Sequence, residues 1–189
     1  MAIFSEIFIV TCFAVFLIFW IVTAQRVKQT MERRAFGWNT IVPLIVIFFI
    51  ILLHVLGIFH SAFIRSWPHR FWIDLLSDFI VLAGLVVTLW SRVLLGGNWS
   101  RSVELKKGHE LIERGPYAKV RHPIYSGILL MFLGLAVYHA SIFIFAMVLL
   151  FSVMFWFKAK SEEELLTEHF PDAYPEYKKR TWRLIPYLL

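Results

Sequence analysis

The stretch IYSGILLMFLGLAVY, then HAS, then IFIFAMVLLFSVMFWF, running from Ile124 to Phe157, decides the fold. Two apolar runs, 124–138 and 142–157, are joined only by His139, Ala140 and Ser141, and neither run contains an acidic or basic residue. A connection this short suits a tight antiparallel helical hairpin. A charge-free pair of runs suits hydrocarbon rather than water.

Working outward, a spanning helix requires about 20 mostly apolar residues, because the hydrocarbon core is about 30 Å thick and a helix rises about 1.5 Å per residue. Runs at 2–24, 40–63 and 71–95 meet that requirement, which makes five spans with the hairpin. Composition agrees: the 189-residue chain is 59% hydrophobic and 17% charged, and its mean hydropathy is +0.70. A water-soluble domain of this size carries more charge. The 8 Trp lie near the ends of apolar runs, where an amphipathic ring meets both phases. The first run has Glu6 near its start, no basic cluster and an apolar core too long for a signal peptide, so it reads as a retained span. Cys12, the lone cysteine, lies inside it and reads as a small apolar residue, with no disulfide framework possible.

The formal charge of +6 could suggest nucleic acid in a soluble protein, but here it reads as basic loops facing anionic lipid. Arg26, Lys28, Arg33 and Arg34 follow the first span. Arg92, Arg101, Lys106, Lys107, Arg114, Lys119 and Arg121 surround the loop after the third, and Lys158, Lys160, Lys178, Lys179, Arg180 and Arg183 close the chain. With five spans, 17 of the 19 basic residues share one side, leaving only Arg65 and Arg70 on the other. By the positive-inside rule the N-terminus lies outside and the C-terminus in the cytoplasm: a plasma membrane in a prokaryote, the endoplasmic reticulum in a eukaryote. Pro43 in the second span predicts a kink, and Gly127 and Gly134, seven apart, predict a face on which another helix approaches closely.

Two polar segments, 92–125 and 158–189, are left over on that basic side. The first is longer than topology demands and dense in His, Tyr, Asn and Arg; such loops are often functional. Pro123 fits the first turn of a helix and His122 its cap, beside free N–H groups that can receive a carboxylate or phosphate. The competing reading has His122 merely capping and Arg121 snorkelling to lipid phosphate. In the second segment, Lys158 and Glu162 are four residues apart and share a helical face. Ser161 followed by Glu162, Glu163 and Glu164 also reads as the capped start of a solvated helix. The aromatic and basic tail holding Tyr174, Tyr177, Arg180, Trp182, Arg183 and Tyr187 either lies on the interface or roofs a cavity.

The order His109-Glu110-Leu111-Ile112, Gly115-Pro116-Tyr117, Arg121-His122-Pro123-Ile124-Tyr125-Ser126-Gly127, a tight hairpin, then Glu162-Glu163 resembles the isoprenylcysteine carboxyl methyltransferase family. Phe170, Tyr174, Tyr177, Arg183, Leu184 and Pro186 extend the resemblance, which covers about 96–186. It implies an integral membrane enzyme that uses S-adenosylmethionine to methylate the carboxylate of a prenylated cysteine, with no metal and no nucleic acid. It places cofactor contacts on His109, Glu110, Leu111, Ile112, Tyr117, His122, Pro123, Ile124, Tyr125, Glu162 and Glu163. The family holds the substrate carboxylate with an Arg where this chain has Lys158, and favours Gly where it has Pro171. Lys158 and Arg121 are the candidate catalytic cations. Lys keeps the charge but loses the planar two-point fork of Arg.

The expected fold class is therefore all-α: about five transmembrane helices, with a cytoplasmic cofactor site built from the loop before the fourth span and the C-terminal helices. Residues 1–63 are the two N-terminal spans and 64–189 the methyltransferase core, holding spans three to five, the loop 92–125 and the segment 158–189. The residue chemistry suits methyl transfer, an in-line displacement in which the protein mainly aligns donor and acceptor. Tyr117 and Tyr125 can pack on the adenine or the sulfonium, and His122 can help bind the cofactor's carboxylate. The alternatives are a phospholipid or other lipid N- or O-methyltransferase, a sterol-reductase-like NADPH oxidoreductase, and a non-catalytic lipid-binding membrane protein.

Overall fold

The structure, a computed structural model, describes residues 2–24, 30–33, 70–99, 104–106, 108 and 110–186. The run at 40–63, with Pro43, lies outside the described residues, as does His109. The described chain is helical: α1 (Ala2–Ala24), α2 (Phe71–Leu95), α3 (Pro123–His139), α4 (Ile142–His169) and α5 (Ala173–Lys179), with short 3-10 turns at Gly96–Asn98 and Gly115–Ala118. The bounds of α1 and α2 coincide with the apolar runs. Two strands, β1 (Thr30–Arg33) and β2 (Glu104–Lys106), pair antiparallel, a small addition to the expected all-helical fold.

Three segments, Ala2–Thr23, Phe71–Asn98 and Ile142–His169, are long and apolar enough to cross a membrane, and Pro123–His139 is a shorter apolar helix. Their outward faces carry large apolar side chains such as Phe4, Ile18, Phe79, Trp90, Leu149 and Phe157, all exposed. A water-facing surface would not tolerate so many, whereas lipid tails solvate them as well as a core would. The chain is an integral membrane protein.

The inner packing turns on glycine. A Cβ at Gly127 would lie 2.1 Å from Thr88 Oγ1 and 2.7 Å from the Gly84 carbonyl oxygen, and one at Gly134 would lie 2.9 Å from the Ser77 carbonyl oxygen. The expected close approach is therefore real, and its partner is the antiparallel α2, which contributes Gly84 to the same contact. Helices in lipid associate by such van der Waals fit, since apolar burial alone does not drive them together there. The described core gathers Ile9, Cys12, Val81, Leu85, Met131 and Tyr138, so Cys12 is the buried apolar residue expected.

Polar ties fix the ends of α1. At its start the Tyr138 hydroxyl donates to the Ala2 carbonyl at 2.8 Å and Ser5 Oγ to Asp78 Oδ2 at 2.8 Å. At its end Arg92, 3% exposed, donates to the carbonyls of Thr23 and Gly96, each at 2.7 Å, with its guanidinium 4.6 Å from the Trp99 ring. α1 and α2 thus run parallel, and both end on the side where α4 carries its charges.

The α3–α4 turn forms as expected, through Ala140 in the left-handed region (φ 53°). What differs is the length of α4. It runs unbroken to His169, so Lys158 to Glu164 continue a spanning helix and do not start a new one. Ser161 Oγ donates to the Phe157 carbonyl at 3.3 Å, a mid-helix contact that replaces the expected cap.

Candidate functional site

Pro123 occupies the first turn of α3 and His122 its cap position, as expected, but the His122 side chain caps nothing. It turns toward α4. Nδ1 lies 3.3 Å from Glu162 Oε2 and Nε2 lies 3.4 Å from Glu163 Oε1, so each ring nitrogen faces a carboxylate. Burial of the ring opposes its protonation. The two carboxylates beside it outweigh that cost and hold the imidazole above its ordinary pKa. Both nitrogens lie within ion-pair reach of a carboxylate, while Nε2, buried, makes no hydrogen bond among the described residues.

Tyr125 follows one turn later and meets the same helix. Its hydroxyl donates to Glu162 Oε1 at 2.6 Å, while its ring stacks on His122 (5.5 Å between centroids, 3° between planes) and on Phe155 (4.7 Å, 9°). Two near-parallel neighbours thus flank the ring, which stays half-buried. Lys158 Nζ stands 5.3 Å from the same ring, which brings Lys158 and Glu162 onto one face of α4 as their spacing predicted.

Glu162 and Glu163 are separated by the rotation of one helical residue, about 100°. That rotation gives them different company. Glu162 keeps 22% of its side chain exposed; Glu163 keeps 2%. Glu163 Oε1 accepts from Arg121 Nε at 2.8 Å and Arg183 Nε at 2.9 Å, and its Oε2 accepts from the terminal guanidinium nitrogen of Arg183 at 2.9 Å, with Lys178 Nζ 3.4 Å away. Such two-point guanidinium pairing fits a buried carboxylate, which needs both charge and geometry matched. Arg121 also donates to the carbonyls of Lys178 and Thr181. Its guanidinium is occupied in holding the tail. Arg183 in turn lies over Trp156 at 4.2 Å.

The tail roofs the site. The Trp182 N–H donates to the Lys119 carbonyl at 3.0 Å, Arg121 N–H to Trp182 at 2.8 Å and His122 N–H to Arg183 at 3.1 Å, forming a short parallel bridge between Val120 and Trp182. Ser126 Oγ donates to the Leu184 carbonyl, and Tyr177 Oη donates to the Tyr117 carbonyl at 2.7 Å. The tail is therefore folded back against the segment from Tyr117 to Ser126. Tyr117 is buried beneath it, and burial pushes its hydroxyl far above the ordinary range.

The other expected positions gather more loosely. Pro123 and Ile124 are buried at the start of α3, Leu111 and Ile112 are half-buried, and Glu110 is exposed, with its carbonyl accepting from Asn98 Nδ2 at 3.5 Å. The sequence reading missed Trp156, Lys178 and Thr181. Trp156 lies seven residues before Glu163 and so on its helical face, but nothing in spacing alone reveals that Arg183 covers it.

This geometry belongs with four similarities to known proteins. The model of the phospholipid methyltransferase family matches residues 72–173, more than half of the chain. The chain belongs to the phospholipid methyltransferase family. The protein-S-isoprenylcysteine O-methyltransferase of Schizosaccharomyces pombe is 34% identical over 102 residues, covering 51% of this chain and 42% of that protein. The cobalt-zinc-cadmium resistance protein CzcN of Cupriavidus metallidurans is 30% identical over 130 residues, covering 68% and 56%. A solved eukaryotic intramembrane Ras methyltransferase, isoprenylcysteine carboxyl methyltransferase, superposes with a TM-score of 0.56 at 25% identity, covering 62% of this chain and 43% of that one. The chain thus spans about half the length of these relatives. The expected family resemblance and the helical membrane fold both stand.

Proposed function

We propose that this family member is an integral membrane methyltransferase that moves a methyl group from S-adenosylmethionine to the carboxylate of an isoprenylcysteine or similar lipophilic acid. The observation that carries the reading is the pairing of Lys158 and Glu162, one turn apart on α4 around the Tyr125 ring, where an apolar span becomes polar. A cation and an accessible carboxylate there can receive an anionic acceptor and a cationic donor side by side. The S. pombe and Ras methyltransferase relatives support the acceptor class.

The residues fit S-adenosylmethionine. Glu162 is partly exposed and already oriented by Tyr125 Oη and His122 Nδ1, so its remaining lone pairs can accept from ribose hydroxyls or the amino group. The bound cofactor supplies an electrophilic methyl on a sulfonium. His109 to Ile112 and Tyr117 complete the cofactor walls in this reading. Lys158 holds the acceptor carboxylate, which with an ordinary pKa of about 4 is ionised at neutral pH and needs no general base. The roof of Trp182 to Leu184 excludes water, and alignment does the rest. Arg121, a candidate catalytic cation from its place in the motif, is assigned here to holding the roof. Residues 64–189 form the core and 1–63 the N-terminal spans, with the site on the cytoplasmic side.

A phospholipid acceptor is the second reading, favoured by the matching family's own description. An amine acceptor must first lose a proton, and among the described groups nearest the site both His122 nitrogens already face carboxylates. Calorimetry on the detergent-solubilised full chain should show binding of S-adenosylmethionine and its demethylated product and none of NADPH. Folded protein that binds neither methyl-cycle compound would sink the proposal. Turnover on N-acetyl farnesylcysteine, phosphatidylethanolamine and free isoprenoid acids then separates the acceptors.

A further inference from the structure

We propose that Glu163 is a positioning residue for cofactor binding, acting through His122 on Glu162, and not a cofactor contact itself. The inference rests on the reading of Glu162 as a cofactor ligand. Glu163 is nearly without exposed surface, and its two oxygens are taken by Arg121, Arg183 and Lys178. A ligand has no path to it.

His122 is the connection. With Glu163 3.4 Å from Nε2 and Glu162 3.3 Å from Nδ1, the ring holds both carboxylates by its charge as an imidazolium, since Nε2 makes no hydrogen bond among the described residues. The neutral ring loses that attraction for both. Glu163 is already compensated by two guanidiniums, so its position does not depend on the ring. Glu162 has no guanidinium on it among the described residues, and Tyr125 Oη donates to its other oxygen. Loss of the ring proton therefore loosens the carboxylate that faces the site.

The groups around His122 are Glu162 and Glu163 from α4, the stacked Tyr125 from α3, and, beyond Glu163, the guanidiniums of Arg121 and Arg183 with Lys178. Glu163 holds the ring charged, while the cations around Glu163 temper that hold. Removing Glu163 and removing Arg183 must then act on the ring in opposite directions. A residue that merely braced the fold would produce no such opposition.

The test is binding of S-adenosylhomocysteine to the full chain in detergent, by calorimetry from pH 6 to pH 9, for wild type, Glu163→Gln and Arg183→Gln. Wild-type affinity should fall with rising pH along one limb. Glu163→Gln should move the limb about one unit lower, so that at pH values above both limbs it binds about tenfold more weakly, a shift of one pH unit and a tenfold change being the same free energy. Arg183→Gln should move it higher. Loss by a pH-independent factor in either variant, or limbs that coincide with wild type, would overturn the proposal. If a variant does not fold, histidine 15N shifts of the wild type decide, with the His122 signal assigned by its loss in His122→Asn. A neutral His122 ring at pH 7 overturns the proposal, and an imidazolium supports it. Failure of the wild type to bind at all sinks the methyltransferase reading, whereas binding with an unmoved limb in Glu163→Gln sinks only this one.

Discussion

The Tyr125 hydroxyl and Glu162 Oε1 meet at 2.6 Å across the α3–α4 hairpin, joining the motif before one span to the acidic turn after the next. The ring is flanked by His122 and Phe155, and the hydroxyl carries its contact to Glu162. Tyr125→Phe keeps the stack and deletes only this bond, worth about 1 kcal/mol. Cofactor affinity should fall roughly fivefold with the melting temperature nearly unchanged, as read by calorimetry and a thermal shift. Glu162→Ala should weaken binding much further, and equal losses in the two variants would show that Glu162 acts only as an acceptor for Tyr125.

Lys158 and Glu162 share a face of α4 but are assigned to different ligands. Lys158→Ala should leave S-adenosylhomocysteine binding within about twofold while turnover falls tenfold or more, since deleting one partner of a charge pair costs on the order of 2 kcal/mol. Lys158→Arg should preserve turnover on a carboxylate acceptor by offering a two-point fork. Unchanged turnover in Lys158→Ala, on any acceptor the wild type methylates, removes the residue from the site.

The contact of Gly127 with Gly84 and Thr88 predicts intolerance of even one methyl group. Gly127→Ala places its Cβ 2.1 Å from Thr88 Oγ1 and 2.7 Å from backbone, so α2 and α3 must separate. The cost should be about 1–3 kcal/mol, seen as a lowered melting temperature. Adding Thr88→Ala removes the nearer clash but not the Gly84 carbonyl, so it should restore only part of the loss.

Stability should also depend on pH through His122. Its folded pKa lies above the unfolded value of about 6.5, so the protonated ring stabilises the fold fully below that value. That contribution is lost as pH rises through the folded pKa. Melting temperatures of wild type should therefore decline from pH 6 toward pH 9, and those of His122→Asn should decline less. Parallel declines would exclude the ring as their source.

Tyr177 tests the roof. Its hydroxyl is the buried donor to the Tyr117 carbonyl, and Tyr177→Phe leaves that carbonyl without it at a cost of about 1–3 kcal/mol. Proteolysis at the C-terminal tail should accelerate in this variant. A tail as resistant as wild type would mean that other ties suffice.

Much of this was legible from single residues. The bounds of α1 and α2 follow from the length of uninterrupted apolar runs, the α3–α4 turn from a three-residue gap, and the α2–α3 contact face from two glycines seven apart. The continuation of α4 was hidden because hydropathy reports the solvent and not the backbone: Lys158 to His169 change phase while keeping good helix formers such as Glu, Leu and Lys. The strands β1 and β2 pair residues about seventy positions apart with no alternating pattern to announce them. Glu162 and Glu163 look equivalent in the sequence, and only the direction of the packed tail distinguishes them. The stacking of Tyr125 on Phe155 likewise depends on that ring arriving from another helix.

The unbroken α4 has a mechanical consequence. Its 28 residues make a rod about 42 Å long, against a hydrocarbon layer of about 30 Å. Lys158, Glu162 and Glu163 ride on the part of the rod that outlasts the oily interior. Their height above the lipid is then set by bilayer thickness, as a float's mark is set by the waterline, so that a thicker membrane draws the charged turn toward the tails and a thinner one lifts it clear.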